Sequence, residues 1–220
     1  MEKMREETKS IYLLFTQTDT FSALLIRSFG KVKYNHCAIA MDKELNQLYS
    51  FARPQQHGLF LGKLVKETKD RYTRNDTVSV PCALVEIPLS SSQYALIQKR
   101  IQEIELDKEY MYNFMSVLTY PISGGFQVYK SYSCVEFTAS LMQLIDSSLT
   151  QPAYSYTPDE LLKRYLDFLV YHGDLREYMS LKRRDEHYYA AVTLSLICLN
   201  VYGIYKIMKR CAFSILLHFL

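Results

Sequence analysis

Glycine and proline are scarce, 7 and 6 in 220 residues, which excludes a collagen-like, low-complexity or disordered chain. No glycine-rich phosphate loop occurs, and Ser123-Gly124-Gly125 reads only as a turn. The cysteines, Cys37, Cys82, Cys134, Cys198 and Cys211, are odd in number and include no C-x-x-C pair, so no metal or redox pair is indicated. An excess of one charge is also missing. The net charge is +3, too little to mark a nucleic-acid binder. That small excess sits in residues 188–220, which hold Lys206, Lys209 and Arg210 and no acid. No secretory signal is seen, because residues 1–10 are charged and the apolar run at 11–15 is shorter than a signal core. A reducing, cytoplasmic-side location with free thiols is therefore expected.

What is present is a core-forming composition, 49% hydrophobic with 19 Tyr and 11 Phe. Residues 11–15 read as a buried strand ending in a polar turn, 21–29 as a short amphipathic helix, and 34–41 with 47–52 as a hairpin. A loop over 53–58 leads to a short strand at 59–65. Residues 66–76 are charged and expected to face solvent. A strand over 78–87 stops at Pro88. Residues 90–105 are the clearest helix, with Tyr94, Ile97, Ile101 and Ile104 at helical spacing. Residues 110–120 are aromatic, and 121–125 break the chain. Ser133 with Glu136, and Thr157 with Glu160, are capping boxes that open helices over 133–145 and to about 166. A last strand over 167–171 ends at Gly173. Strands, then helices, then a strand suggest α+β with an antiparallel sheet. The domain occupies 1–180 and a basic, hydrophobic tail 181–220. Residues 188–205 carry no charge, close to the roughly 20 apolar residues a bilayer crossing takes. That tail either anchors to or lies on a membrane, or packs as a helix on the domain or a partner. If it crossed, the basic residues after it would place the C-terminus in the cytoplasm.

Cys134 is the most informative thiol. It follows the cap Ser133, so it lies in a first helical turn, where free backbone N–H groups and the dipole favour thiolate. The same N–H groups can hold an oxyanion. The plain alternative is a small buried core residue. His36, on a strand, shares a face with Ala38 and Ala40, while Cys37 points the other way. It is either a base or a core histidine bonded to a carbonyl.

The segments Tyr34-Asn35-His36-Cys37-Ala38-Ile39-Ala40 and Ser133-Cys134-Val135-Glu136-Phe137-Thr138-Ala139-Ser140-Leu141 resemble the circularly permuted papain-like hydrolases of the NlpC superfamily. The similarity is to the YaeF/YiiX-like group in particular, with lecithin:retinol acyltransferase a more distant relative. It covers about residues 11–175. The resemblance implies a permuted papain-like fold, an antiparallel sheet or small barrel packed against helices. It also implies a thiol hydrolase or acyltransferase in which Cys134 attacks and His36 moves the proton. A polar residue on the next strand would orient the imidazole. Gln47 and Ser50 are available there, and Ser50 is taken, although a serine cannot stabilise imidazolium by charge. The substrate would be a peptide, an amide or a lipid-acyl group, with no cofactor, no metal and no nucleic acid. The alternative is an inactive papain-like protein that binds a partner or a membrane.

The remaining candidates have bland readings beside the functional ones. His57 could line a substrate entrance or be an exposed loop histidine. Arg53 could hold a substrate carboxylate or lie on the surface. Thr16 and Thr18 could face a cleft or cap a helix. His172 and His187 read as surface residues. Tyr110, Tyr112, Tyr129 and Tyr132 read as packing. A zinc site from His36, Cys37 and His57 is disfavoured, because neighbours in a strand face apart.

Overall fold

The computed structural model describes residues 8–18, 32–72, 79–179 and 185–218; the helix expected over 21–29 lies outside them. Among the described residues eight strands form: β1 (Lys9–Thr16), β2 (His36–Ala40), β3 (Leu48–Ala52), β4 (Lys63–Glu67), β5 (Pro81–Leu89), β6 (Met111–Tyr112), β7 (Ser131–Tyr132) and β8 (Leu169–Asp174). The helices are α1 (Ser91–Leu106), α2 (Phe114–Ser123), α3 (Cys134–Met142), α4 (Pro158–Arg164), α5 (Leu175–Met179) and α6 (Leu194–His218). Six strands form one sheet in the order β4-β3-β2-β1-β5-β8, with every pairing antiparallel. The expected α+β class with an antiparallel sheet packed against helices is what the chain adopts.

Alternation along the central strands sends side chains to two cores. Ile11, Leu13, Phe15, Cys37, Ile39 and Phe51 face one side, where Ile97, Ile101 and Ile104 of α1 and Phe137, Leu141 and Met142 of α3 cover them. Tyr12, Leu14, Ala38, Ala40 and Leu48 face the other, with Tyr72 and Leu175. β1 is buried on both faces, and it reads as a continuous apolar run for that reason.

Helix ends fall where the caps predict. Ser90, Ser133 and Thr157 each close a capping box. Strand ends do not. Pro88 lies inside β5 opposite Ser10. It is tolerated because β8 pairs with β5 no further along than Val85, leaving one edge open there. β8 likewise runs through Gly173, which pairs with Cys82. Pro121 lies within α2, whose end is set by left-handed Gly124 (φ 67°). The strand expected over 59–65 is β4, displaced toward the C-terminus. That shift corrects the solvent-facing assignment of 66–76 at two positions: Glu67 is 3% exposed and Tyr72 is buried, on a 3-10 turn Lys69–Tyr72, while Lys66 and Thr68 are exposed and residues 73–76 lie outside the described residues.

Phe51 binds the layers together, with ring centroids 5.2 Å from Phe137 and 5.4 Å from Tyr132. Phe51→Ala is expected to cost about 3–5 kcal/mol in urea unfolding. A loss below about 1 kcal/mol, the scale of an exposed position, would contradict this packing.

Candidate active site

The site forms where α3 meets the start of β2. Ser133 caps α3 by accepting from the Glu136 N–H at 3.2 Å, and Glu136 Oε2 accepts from the Ser133 N–H at 3.0 Å. Cys134 is therefore the first helical residue, facing the orphan N–H groups of that turn. The registered β2–β3 pairs are Ile39 with Tyr49 and Ala40 with Leu48, so the ladder stops short of His36. At that end side chains from β2, β3 and β4 converge with the helix N-terminus.

His36 and Cys134 lie close enough to shift one another's protonation, and on its other side His36 Nε2 is 2.8 Å from Glu67 Oε1. With Nε2–H donated to a carboxylate, Nδ1 is the ring nitrogen left for the sulfur. Burial by itself would strip the proton from His36, but the charge of Glu67 and the bonds to Cys134 and Glu67 outweigh it, and the imidazolium is favoured. Burial would likewise raise the Cys134 thiol. The His36 hydrogen bond and charge, with the N–H groups of Cys37 and Val135, overcome that and bring it down. The two shifts have one sense, toward a thiolate–imidazolium pair. By contrast, burial pushes the Cys37 thiol up, and the Cys82 thiol to about 12.

Glu67 was hidden in the charged stretch and takes the place given to Ser50. The Ser50 hydroxyl donates to Glu67 Oε1. Ser50 thus positions the carboxylate, and the carboxylate positions the ring. The physical reason is register: β4 pairs Glu67 with Leu48, whose face is also that of Ser50. Tyr72 donates to Glu67 Oε2, and Arg71 Nη1 lies 3.3 Å from Oε1. Burial works against the charge on Glu67, but Arg71 and His36 prevail and hold it well below the usual carboxylate range. Gln47, the other candidate, lies on the turn before β3, where its N–H donates to Asp42.

Tyr112 is a second residue missed as packing. Burial first, then the nearby Cys134 sulfur, hold its hydroxyl well above its ordinary value. Gly62 places it: the Tyr112 N–H donates to Gly62 O at 2.7 Å, and a Cβ at 62 would fall 2.4 Å from Tyr112 Cβ. Asn113 next to it caps α2 through Ser116 N and donates to Glu136 Oε2 at 3.1 Å, so one network fixes Tyr112 and the start of α3. Desolvation lifts the buried Glu136 carboxyl to about 7 against those bonds. Tyr110 and Tyr132 do pack, stacked at 5.7 Å.

The other candidates lie apart from this cluster or at its margin. Thr16 pairs across the ladder with His36 and is buried with no partner for its hydroxyl among the described residues, and Thr18 bonds Asn35. Arg53 donates to Gln56 O and lines a cavity of about 490 Å³ with Lys66, Glu67, Arg71, Tyr110 and Tyr188. That cavity reaches the back of Glu67, and neither Cys134 nor His36 borders it. His57 is exposed, His172 Nε2 lies 3.1 Å from Lys33 Nζ, and His187 lines the cavity rim. Among the described residues no cluster of His, Cys, Asp or Glu could hold a metal ion.

Held above its ordinary value of about 6.5, His36 as imidazolium adds stability that is full below that value and lost as pH rises through the raised folded value. Glu67, held low, adds stability present above its ordinary value of about 4.3 and lost as pH falls through the depressed one. Glu67→Gln should remove both flanks from the stability–pH curve. It should also lower the His36 midpoint, read from its ring proton by NMR, by one unit or more; an unmoved midpoint would contradict the assignment.

Comparison with protein-family models, with curated proteins and with solved structures found no match to this chain.

Proposed function

We propose that this protein is a cysteine-dependent hydrolase or acyltransferase of the permuted papain-like kind, amidase- or peptidase-like, acting on an amide or ester through a thioester. The observation that carries the reading is a buried sulfur at a helix N-terminus, beside an imidazole that favours its thiolate and that a carboxylate holds from behind. Thiolate, proton donor and orienting charge are the three parts such chemistry uses.

In this mechanism the Cys134 thiolate attacks the carbonyl carbon, and the carbonyl π pair moves onto oxygen. Backbone N–H groups at the start of α3 and the Tyr112 hydroxyl are available as donors to that developing charge. As the oxyanion collapses, the bond to the leaving nitrogen or oxygen breaks and His36 gives it the Nδ1 proton. Neutral His36 then takes a proton from water, or from an acceptor alcohol or amine, which attacks the thioester and releases Cys134. Glu67 stays ionised throughout, because Arg71 and His36 keep its affinity for protons low. Peptide, amide and lipid-acyl substrates all suit these steps.

Iodoacetamide alkylation followed by peptide mapping tests this. Cys198, exposed on α6, is the reference thiol in the same chain. Cys134 is expected to outpace it well below pH 8.5, Cys37 and Cys82 to stay slow, and His36→Ala to remove the advantage. With p-nitrophenyl acetate, the wild type should give a p-nitrophenol burst that Cys134→Ala abolishes. A Cys134 no faster than Cys198, or indifferent to His36→Ala, refutes the proposal. Tyr112→Phe is expected to lower the acylation rate about 10²-fold if its hydroxyl follows the charge onto oxygen; a change under about 2-fold in the burst rate assigns Tyr112 to packing.

A further inference from the structure

Helix α6 is built inside out. A surface helix normally turns an apolar stripe inward and polar residues to water. In α6 the seam facing the body recurs every three or four residues and is mostly polar or small. Asn200 Oδ1 accepts from the Phe60 N–H at 3.1 Å, and its Nδ2 donates to His57 O at 3.1 Å. Gly203 lies so close that a Cβ would be 2.5 Å from Phe60 O. Arg210 Nη1 donates to Lys130 O at 2.8 Å, and Ser214 Oγ accepts from the Tyr129 N–H at 3.0 Å. Leu196, Gly203 and Ile207 are buried, and Asn200, Arg210 and Ser214 are half-buried.

The outward side is the apolar one. Leu194, Val201, Tyr202, Tyr205, Met208 and Leu216 are each more than half exposed. The neighbouring α2, which packs against α6, adds Leu118 and an Ile122 that is 92% exposed. Monomers in water rarely carry so continuous an apolar surface. Two cations stand among these residues, Lys206 and Lys209, both exposed; Lys206 Nζ lies 4.9 Å from the Tyr202 ring. No acid follows Glu186 in the chain.

We propose that the outward face of α6 docks flat on an anionic lipid bilayer. Its apolar side chains would enter the headgroup–acyl boundary, with Lys206 and Lys209 reaching up to the phosphates. Crossing the bilayer is not what α6 is suited to: among the described residues, no helix is long and apolar enough. A second copy of this chain fits less well. Pairing α6 with α6 about a two-fold axis sets the lysines of both copies together with no acid on the helix to match them, whereas anionic headgroups complement them. The inference rests on α6 alone and holds whether or not Cys134 is a nucleophile.

The test is co-sedimentation of the full chain with phosphatidylcholine vesicles, without and with about one-third phosphatidylserine. Binding is expected to the anionic vesicles and to weaken with salt. Lys206→Ser with Lys209→Ser should weaken it roughly 25-fold, about 5-fold for each lysine. Met208→Asp with Tyr202→Asp, both on the exposed side and therefore compatible with folding by circular dichroism, should abolish it. Cys134→Ser should bind like the wild type, which separates this result from any failure of the thiol chemistry. Absence of vesicle binding overturns the proposal, as does binding that ignores the aspartate or the lysine substitutions. A dimer in water that Met208→Asp dissociates, with no binding to either vesicle, assigns the face to a second copy instead.

Discussion

The buried carboxylate of Glu67 is the interaction on which the site depends. It is 3% exposed and takes hydrogen bonds or charge from His36, Ser50, Arg71 and Tyr72. An isolated carboxylate at that depth would take up a proton rather than stay charged. Here four partners from β2, β3 and the turn after β4 keep it ionised, and its charge in turn favours imidazolium at His36. Removing one member of such a group leaves an uncompensated buried charge, which costs far more than a surface pair returns. The sheet end is thereby fixed in one arrangement, because the partners come from three different segments.

A second constraint is the start of α3. The Ser133–Glu136 box sets where the helix begins, and Asn113 ties that box to the start of α2. Cys134 and Tyr112 then share one small volume without either belonging to a long element. The proposed chemistry asks little more of the fold: a sulfur at the dipole's positive end, a ring held from behind, and donors close by. The cavity behind Glu67, bordered by Arg71 and roofed in part by Tyr188, is separate from that sulfur.

How much of the site could be read in advance differs residue by residue. Cys134 was visible because capping is local: a serine three residues before a glutamate marks a helix start, and the next residue occupies the first turn. His36 was visible because strand alternation puts it beside Ala38 and Ala40, where another element can approach. Glu67 was not, because it sits among Lys63, Lys66, Glu67, Lys69 and Asp70, a run that looks solvated. The available signal was pairing: extending the 59–65 strand by two residues places Glu67 across from Leu48, on the face that carries Ser50. Tyr112 had no local signal in a chain of 19 tyrosines; only the approach of Gly62 selects it.

By itself, then, the chain's order of residues determined what depends on neighbours a few positions away: helix starts at Ser90, Ser133 and Thr157, the two-sided burial of β1, and an uncharged, base-terminated tail. The tertiary structure decided what depends on residues far apart in the chain. It chose Glu67 over Ser50 behind the imidazole, seated Tyr112 at the sulfur, and turned the polar seam of α6 inward. The reason is that a cap is satisfied within one turn of backbone, whereas a buried charge or an outward apolar face is defined only by what the rest of the molecule brings against it.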